Sequence, residues 1–173
     1  DAIADVPEDL GLDRQLEGSV MLYSSGTTGR PKGVRRPLSG RPAGDTLDAL
    51  LSTGLLYLFG ITEQDRYLTP APLYHAAPLL FTSAQMRLGS TSYVMRRFDP
   101  EQALRMIHDY RITVSQWVPT HFRRFLQLPE ALRRRYDVSS LRVAIHAAAP
   151  CPIPLKEAMI EWWGDSIVEY YGG

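Results

Sequence analysis

At 173 residues the chain is long enough to bury one sizeable core. Lys+Arg and Asp+Glu each total 19, so the formal net charge is zero, and neither nucleic acid nor an anionic membrane surface is indicated as a partner. Cys151 is the single cysteine, which excludes an internal disulfide and fits a reducing, cytoplasmic setting; no stretch reaches the ~20 apolar residues of a membrane span.

Residues 1–18 are acidic, contain Pro and Gly, show no signal-peptide pattern and read as a connector. Val20–Tyr23 is a short apolar strand. It leads into a glycine-rich loop, and Gly33–Arg36 reads as a returning strand. After a turn-rich stretch, 36–44, a helix is predicted over Asp45–Phe59, where Leu47, Leu50, Leu51, Leu55 and Leu58 keep helical spacing. Arg66–Thr69 is a strand ended by Pro70-Ala71-Pro72. Tyr74–Leu88 is apolar and helical, with a kink expected at Pro78. Ser90–Met95 alternates as a strand does. Asp99 is placed to cap a helix running to Tyr110, with Pro100 at its first position and Gln102 at the capping-box position.

Beyond that helix, Thr113–Val118 is a strand, Thr120–Leu126 a helix and Leu141–His146 a strand. Pro152–Trp163 is a helix with Leu155, Met159, Ile160 and Trp163 on one face, and Ile167–Tyr171 is a final strand. Strand and helix alternate, which predicts an α/β fold: a mostly parallel sheet flanked by helices. Ligands of such folds sit at the carboxyl ends of the strands. The loop after Tyr23, His75, Pro119, Ala147–Pro150 and Tyr171-Gly172 all fall at such ends, so a single site is expected there.

The loop Ser24-Ser25-Gly26-Thr27-Thr28-Gly29-Arg30-Pro31-Lys32-Gly33 carries the chemistry. Hydroxyls, free backbone N–H groups and an ammonium are what a triphosphate needs around it, and glycines let the backbone come close. Only two of the 19 basic residues are lysine, Lys32 and Lys156, so a compact point charge stands here in a chain that otherwise uses arginine. The spacing is not that of a Walker A loop, because Gly33 follows Lys32 and Pro31 cannot donate to phosphate. No histidine pair has metal-ligand spacing and no G-x-S-x-G elbow accompanies the serines. His108, His121, Arg133-Arg134-Arg135 and Trp162-Trp163 read as ordinary helix or core residues, and Lys156 as a solvated surface residue.

Four motifs in order resemble the signatures of the adenylate-forming (AMP-binding) enzymes, namely acyl-CoA synthetases, aryl-CoA ligases, firefly-type luciferases and peptide-synthetase adenylation domains. They are Tyr23–Val34; Pro72-Leu73-Tyr74-His75; Ser139–Arg142 with His146–Pro150; and Tyr171-Gly172-Gly173. The resemblance covers residues 19–173. It implies a carboxylic acid activated by ATP with Mg²⁺, giving an acyl-adenylate whose acyl group passes to CoA. It further implies that Ser24, Ser25, Gly26, Thr27, Thr28, Gly29 and Lys32 surround the phosphates, with Lys32, Thr27 and His75 in the chemistry. Ala147, Ala148, Ala149, Pro150, Tyr171 and Gly172 then hold the nucleotide. Tyr74, His75, Trp117, His146 and Ala147 are expected to line the acid pocket.

The departures bear on the same expectation. The family's Thr-Glu, whose Glu binds Mg²⁺, would follow Gly173, and the C-terminal domain with its lysine has no counterpart here. The chain is therefore read as an incomplete N-terminal domain, inactive by itself. His146 stands where a small residue is common, and Arg36-Pro37 replaces a Thr-His. Ala76–Phe81 contains no carboxylate to hold an ammonium, which points to a fatty or other apolar acid. A peptide-synthetase-type adenylation domain and a non-catalytic nucleotide-binding remnant are the alternatives.

Overall fold

The computed structural model describes residues 15–24, 32–35, 37–45, 54 and 57–171. Two compact units divide the chain, residues 1–52 and 53–173.

In the first unit, β1 (Leu22–Ser24) pairs antiparallel with β2 (Lys32–Val34), Ser24 standing opposite Lys32 and Tyr23 opposite Gly33. The returning strand thus begins one residue earlier than the sequence suggested. Gly33 is needed there, because a Cβ would lie 3.2 Å from the Tyr23 ring and 3.3 Å from the Met21 sulfur. Two residues of the expected connector are tied into this unit. Leu16 bridges Pro42, and the Glu17 amide donates to the Arg41 carbonyl at 2.8 Å, while the Glu17 carboxylate accepts from the Gly44 amide at 3.0 Å. The glycine loop itself, 25–31, and most of the helix expected over Asp45–Phe59 lie outside the described residues; Tyr57 and Leu58 are helical.

The second unit is built on five parallel strands: β3 (Arg66–Thr69), β4 (Thr91–Val94), β5 (Val114–Trp117), β6 (Val143–His146) and β7 (Ile167–Glu169), in the order β4-β3-β5-β6-β7. Helices follow the strands: α1 (Ala76–Leu88), α2 (Pro100–Tyr110), α3 (Pro119–Leu126), the short α4 (Glu130–Arg133) and α5 (Ile153–Trp163). This is the predicted α/β architecture. A parallel sheet buries both faces, and side chains alternate between them. Tyr67, Val114, Val143 and Ile145 point to the α1 side, where they meet Phe81 and Ala84. Leu68, Trp117 and Ala144 point the other way, into a larger core with Leu104 and Ile107 of α2, Phe122 and Phe125 of α3, and Met159 and Trp163 of α5.

Proline marks each start. Pro100 and Pro119 hold the first positions of α2 and α3, and Pro154 the second of α5. Asp99 caps α2 as expected, its carboxylate accepting from the Gln102 amide at 2.8 Å. Pro78 does not kink its helix. Helix α1 starts at Ala76, two residues later than expected, so Pro78 falls in the first turn, where amides have no intrahelical partner to lose. Gly89 ends α1 in the left-handed region at φ 84°, its amide reaching the Gln85 and Met86 carbonyls. Two further readings are corrected. Ile160 is exposed, unlike Met159 and Trp163, because it follows Met159 around the helix onto the outer side. The last strand stops at Glu169, where pairing with β6 stops at His146.

Candidate functional site

Because β3, β5, β6 and β7 are adjacent and parallel, their carboxyl ends form one edge, and the residues singled out in this unit gather along it. After β3 the chain turns through Pro70-Ala71-Pro72, and the His75 amide donates to the Pro72 carbonyl at 3.1 Å, setting His75 as the residue before α1. Tyr74 is 81% exposed, and its ring lies 4.5 Å from that of His75.

After β6, Ala147 is buried while Ala148, Ala149 and Pro150 are exposed. Ala148 has φ 73°, a conformation that costs a residue with a Cβ about 1–2 kcal/mol. Such an outlier is held by its surroundings: the Ala147 amide donates to the Trp117 carbonyl at 3.4 Å, and the Tyr170 amide to the His146 carbonyl at 3.3 Å. Tyr171 beyond β7 is fully exposed.

His146 closes the underside of this edge. Its ring is fully buried, packs edge-on to Phe122 at 5.3 Å, and has neither nitrogen hydrogen-bonded among the described residues. Glu169 Oε1 lies 3.8 Å from Nδ1, and the other Glu169 oxygen takes the Lys156 ammonium. Burial pushes the His146 pKa down; the Glu169 charge opposes that and Lys156 adds to it. Lys156 is therefore not simply solvated, as its helix position suggested. Its bond to Glu169 pulls that carboxylate's pKa down. Burial pushes the Cys151 thiol up, as suits a residue that is not a nucleophile.

Two expected pocket residues are placed elsewhere: His146 and Trp117 are paired across β6 and β5 and both turn to the large core, not to the α1 side. Trp117 is 1% exposed and sits in the large core, 5.1 Å from Phe125 and 5.6 Å from Trp163, with its Nε1 donating to Ser115 Oγ at 2.6 Å. In a strand, neighbours point to opposite faces, so Gln116 rather than Trp117 faces α1. The sequence Val-Ser-Gln-Trp contained this signal: a glutamine in a strand buried on both faces needs a reason. His108 and His121 also do more than expected of helix residues. Their Nδ1 atoms accept from the Asp137 amide at 3.1 Å and the Val118 amide at 3.4 Å. Lys32 and Ser24 belong to the first unit, as the paired residues at the mouth of the glycine loop; Lys32 is exposed. Ser25, Gly26, Thr27, Thr28, Gly29 and Gly172 lie outside the described residues.

Residues 15–173 match the family model described as "AMP-binding enzyme". The chain belongs to the AMP-binding enzyme family. Among curated relatives, the 3-[(3aS,4S,7aS)-7a-methyl-1,5-dioxo-octahydro-1H-inden-4-yl]propanoyl:CoA ligase of Rhodococcus jostii is 35% identical over 160 residues, 89% of this chain and 28% of that ligase. The medium/long-chain-fatty-acid–CoA ligase FadD8 of Mycobacterium tuberculosis is 33% identical over 171 residues, 98% of this chain and 27% of that ligase. Among solved structures, O-succinylbenzoate coenzyme A synthetase from Bacillus subtilis, in complex with AMP, superimposes with a TM-score of 0.67 at 29% identity, over 91% of this chain and 30% of that one. This AMP-binding chain thus spans about a quarter of the length of those curated ligases. Their acids differ widely, so membership in the family does not by itself point to a fatty acid. Among the described residues, no helix is long and apolar enough to cross a membrane.

Proposed function

We propose that the complete protein is an ATP-dependent acid–thiol ligase. A carboxylate oxygen attacks the α-phosphorus of ATP, the bond to pyrophosphate breaks, and an acyl-adenylate forms. The thiolate of CoA then attacks the acyl carbon and releases AMP. What carries this reading is the family match over residues 15–173, together with the gathering of Tyr74, His75, Ala147–Pro150 and Tyr171 along the carboxyl edge of the second unit's parallel sheet. In the first step an anionic nucleophile must reach an anionic phosphate, and the residues of the glycine loop are suited to screen that repulsion. Lys32 and the Ser24–Gly29 stretch take the phosphates, with Thr27 and Lys32 nearest the reacting phosphorus. Mg²⁺ would accompany the nucleotide and neutralise part of its phosphate charge.

The Ala147–Pro150 backbone, Tyr171 and Gly172 take the adenine. The left-handed Ala148 turns peptide groups outward at the strand end, and exposed Tyr171 offers a ring face. Tyr171→Ala should raise the KM for ATP more than that for the acid. Tyr74, His75 and Ala147 border the acid. Its skeleton is apolar, as in a fatty or alicyclic acid: the first turn of α1 has no acidic residue, and a buried ammonium without a carboxylate is very costly. A cytoplasmic setting suits a reaction that consumes ATP and CoA. The test is ATP–pyrophosphate exchange and thioester formation by the complete protein with a panel of fatty, alicyclic, aryl and amino acids. Exchange with apolar acids is expected. Preference for an amino acid over all of them would favour a peptide-synthetase activity instead, and no exchange with any acid would refute adenylation.

A further inference from the structure

On the α1 face of the sheet, towards its carboxyl edge, buried polar atoms converge. Tyr67 OH, Thr69 Oγ1, Thr82 Oγ1 and Gln116 Oε1 are shut away from solvent and make no hydrogen bond among the described residues. The topology places them together. Tyr67 and Thr69 are two apart on β3 and share a face. Tyr67 pairs with Val114 and Leu68 with Ser115, and continuing that register by one residue sets Thr69 beside Gln116. The Tyr67 hydroxyl reaches towards the hydroxyls of Thr69 and Thr82. Tyr170, next after β7, turns its hydroxyl to the Gln116 amide. Its ring lies 6.2 Å from Phe81 and 6.4 Å from Phe59. These groups face one another but none completes a full hydrogen bond among the described residues, so the cluster keeps donor and acceptor capacity for a further partner.

We propose that the acid accepted by this site carries a neutral oxygen function, a ketone or a hydroxyl, on its otherwise apolar skeleton, and that Gln116 with the Tyr67–Thr69–Thr82 hydroxyls receives it. This deepens the ligase activity proposed above and rests on it. The residue types decide the chemistry. All four groups are neutral donors or acceptors, so a second carboxylate or an ammonium would enter without a counter-charge. Burial pushes the tyrosine hydroxyl of Tyr67 up, away from ionisation, so it stays a donor. The surrounding Phe59 and Phe81 rings suit the hydrocarbon on either side of the oxygen. A site built to hydrogen-bond a substrate oxygen discriminates strongly against the analogue that lacks it, because its own polar groups then stay unpaired.

The test compares matched acids: cyclohexylpropanoic acid with its ring ketone and ring alcohol, and decanoic acid with a mid-chain ketone of the same length. The readout is the ratio of kcat/KM for the oxygenated acid to that for its parent, measured by pyrophosphate release in the complete protein. The expected ratio is at least about 10 for one of the pairs, collapsing towards one in Gln116→Leu. A ratio at or below one in the unmodified protein, or a ratio unaltered by Gln116→Leu, would overturn the proposal. Should Gln116→Leu fail to fold, Tyr67→Phe removes a single buried oxygen and is read in the same way. If no acid releases pyrophosphate, the ligase reading falls, and the same pairs are then compared by calorimetric Kd. Equal affinity within every pair overturns the oxygen contact; tighter binding of the oxygenated member, lost in Tyr67→Phe, upholds it.

Discussion

Replacing Asp65 should destabilise the second unit while leaving the carboxyl edge untouched. Asp65 precedes β3 at the opposite, amino-terminal edge of the sheet. Its side chain is 7% exposed and accepts four hydrogen bonds: from the Thr62 amide at 2.8 Å and the Thr62 hydroxyl at 3.4 Å, from Thr113 Oγ1 at 2.7 Å and from Arg142 at 2.8 Å. The same arginine donates to the Phe59 carbonyl at 3.3 Å, so one carboxylate ties the starts of β3, β5 and β6 to the segment before them. All of these bonds end on one ionised carboxylate; such bonds are worth about 1.5–3 kcal/mol each but are offset by the shared cost of desolvating it, so removing the group in Asp65→Ala should cost about 3–5 kcal/mol. Arg142 is 45% exposed and can be rehydrated, which places the total near the lower end, about 3 kcal/mol. Burial alone would raise the Asp65 pKa, but Thr113, the Thr62 amide and Arg142 together hold it below the ordinary carboxylate value. The contribution is therefore complete above the unfolded carboxylate pKa and is lost as pH falls through the folded one, so mutant and parent should converge in acid. Urea unfolding followed by tryptophan fluorescence at pH 7 and at stepwise lower pH measures both effects. A loss below about 1 kcal/mol at pH 7 would mean the network is replaceable by water, and the reasoning would fail.

Three further outcomes are expected. Burial, with a smaller effect from Arg124, pushes the His121 pKa down to about 4, so the unfolded chain binds the extra proton between about pH 6.5 and 4 and stability should fall across that window by at most about 3 kcal/mol. His121→Gln should flatten the unfolding free energy against pH there, leaving the slope from His146, whose pKa burial also lowers. Lys32→Ala in the complete protein should slow acyl-adenylate formation on the order of 10- to 1000-fold in pyrophosphate exchange, with only partial rescue by Lys32→Arg; an unchanged rate would make the loop structural. Trp117→Ala should lower stability by about 3–5 kcal/mol in chemical denaturation without altering the ranking of acids, because the ring fills the core and not the pocket.

Much of this was legible in the sequence because local rules and tertiary packing agreed. Asp99-Pro100 announced α2 through a cap and a fixed φ, and the alternation of strand and helix announced a mostly parallel sheet. What stayed hidden was direction. Its place at a strand end suggests a pocket wall for Trp117, and only the packing of α3 and α5 shows which face it occupies. Gln116 was overlooked for the same reason, since spacing gives alternation but not its phase. Lys156 and Glu169 are thirteen residues apart, and no local pattern predicts that β7 carries the acid to the base. The kink expected at Pro78 failed because a two-residue shift in the helix start turns a breaker into a starter.

The prolines that begin α1, α2, α3 and α5 stand at the turns leaving β3, β4, β5 and β6, all on the edge where the ligands are proposed to bind. A pyrrolidine ring removes backbone freedom from the unfolded chain as well as the folded one, each contributing about 0.4–1 kcal/mol where the native angles suit it. Freedom that the covalent ring has already removed cannot be taken away again by a ligand. This rim should therefore give up little backbone entropy on binding, and its selectivity can be retuned one side chain at a time, without remodelling any loop.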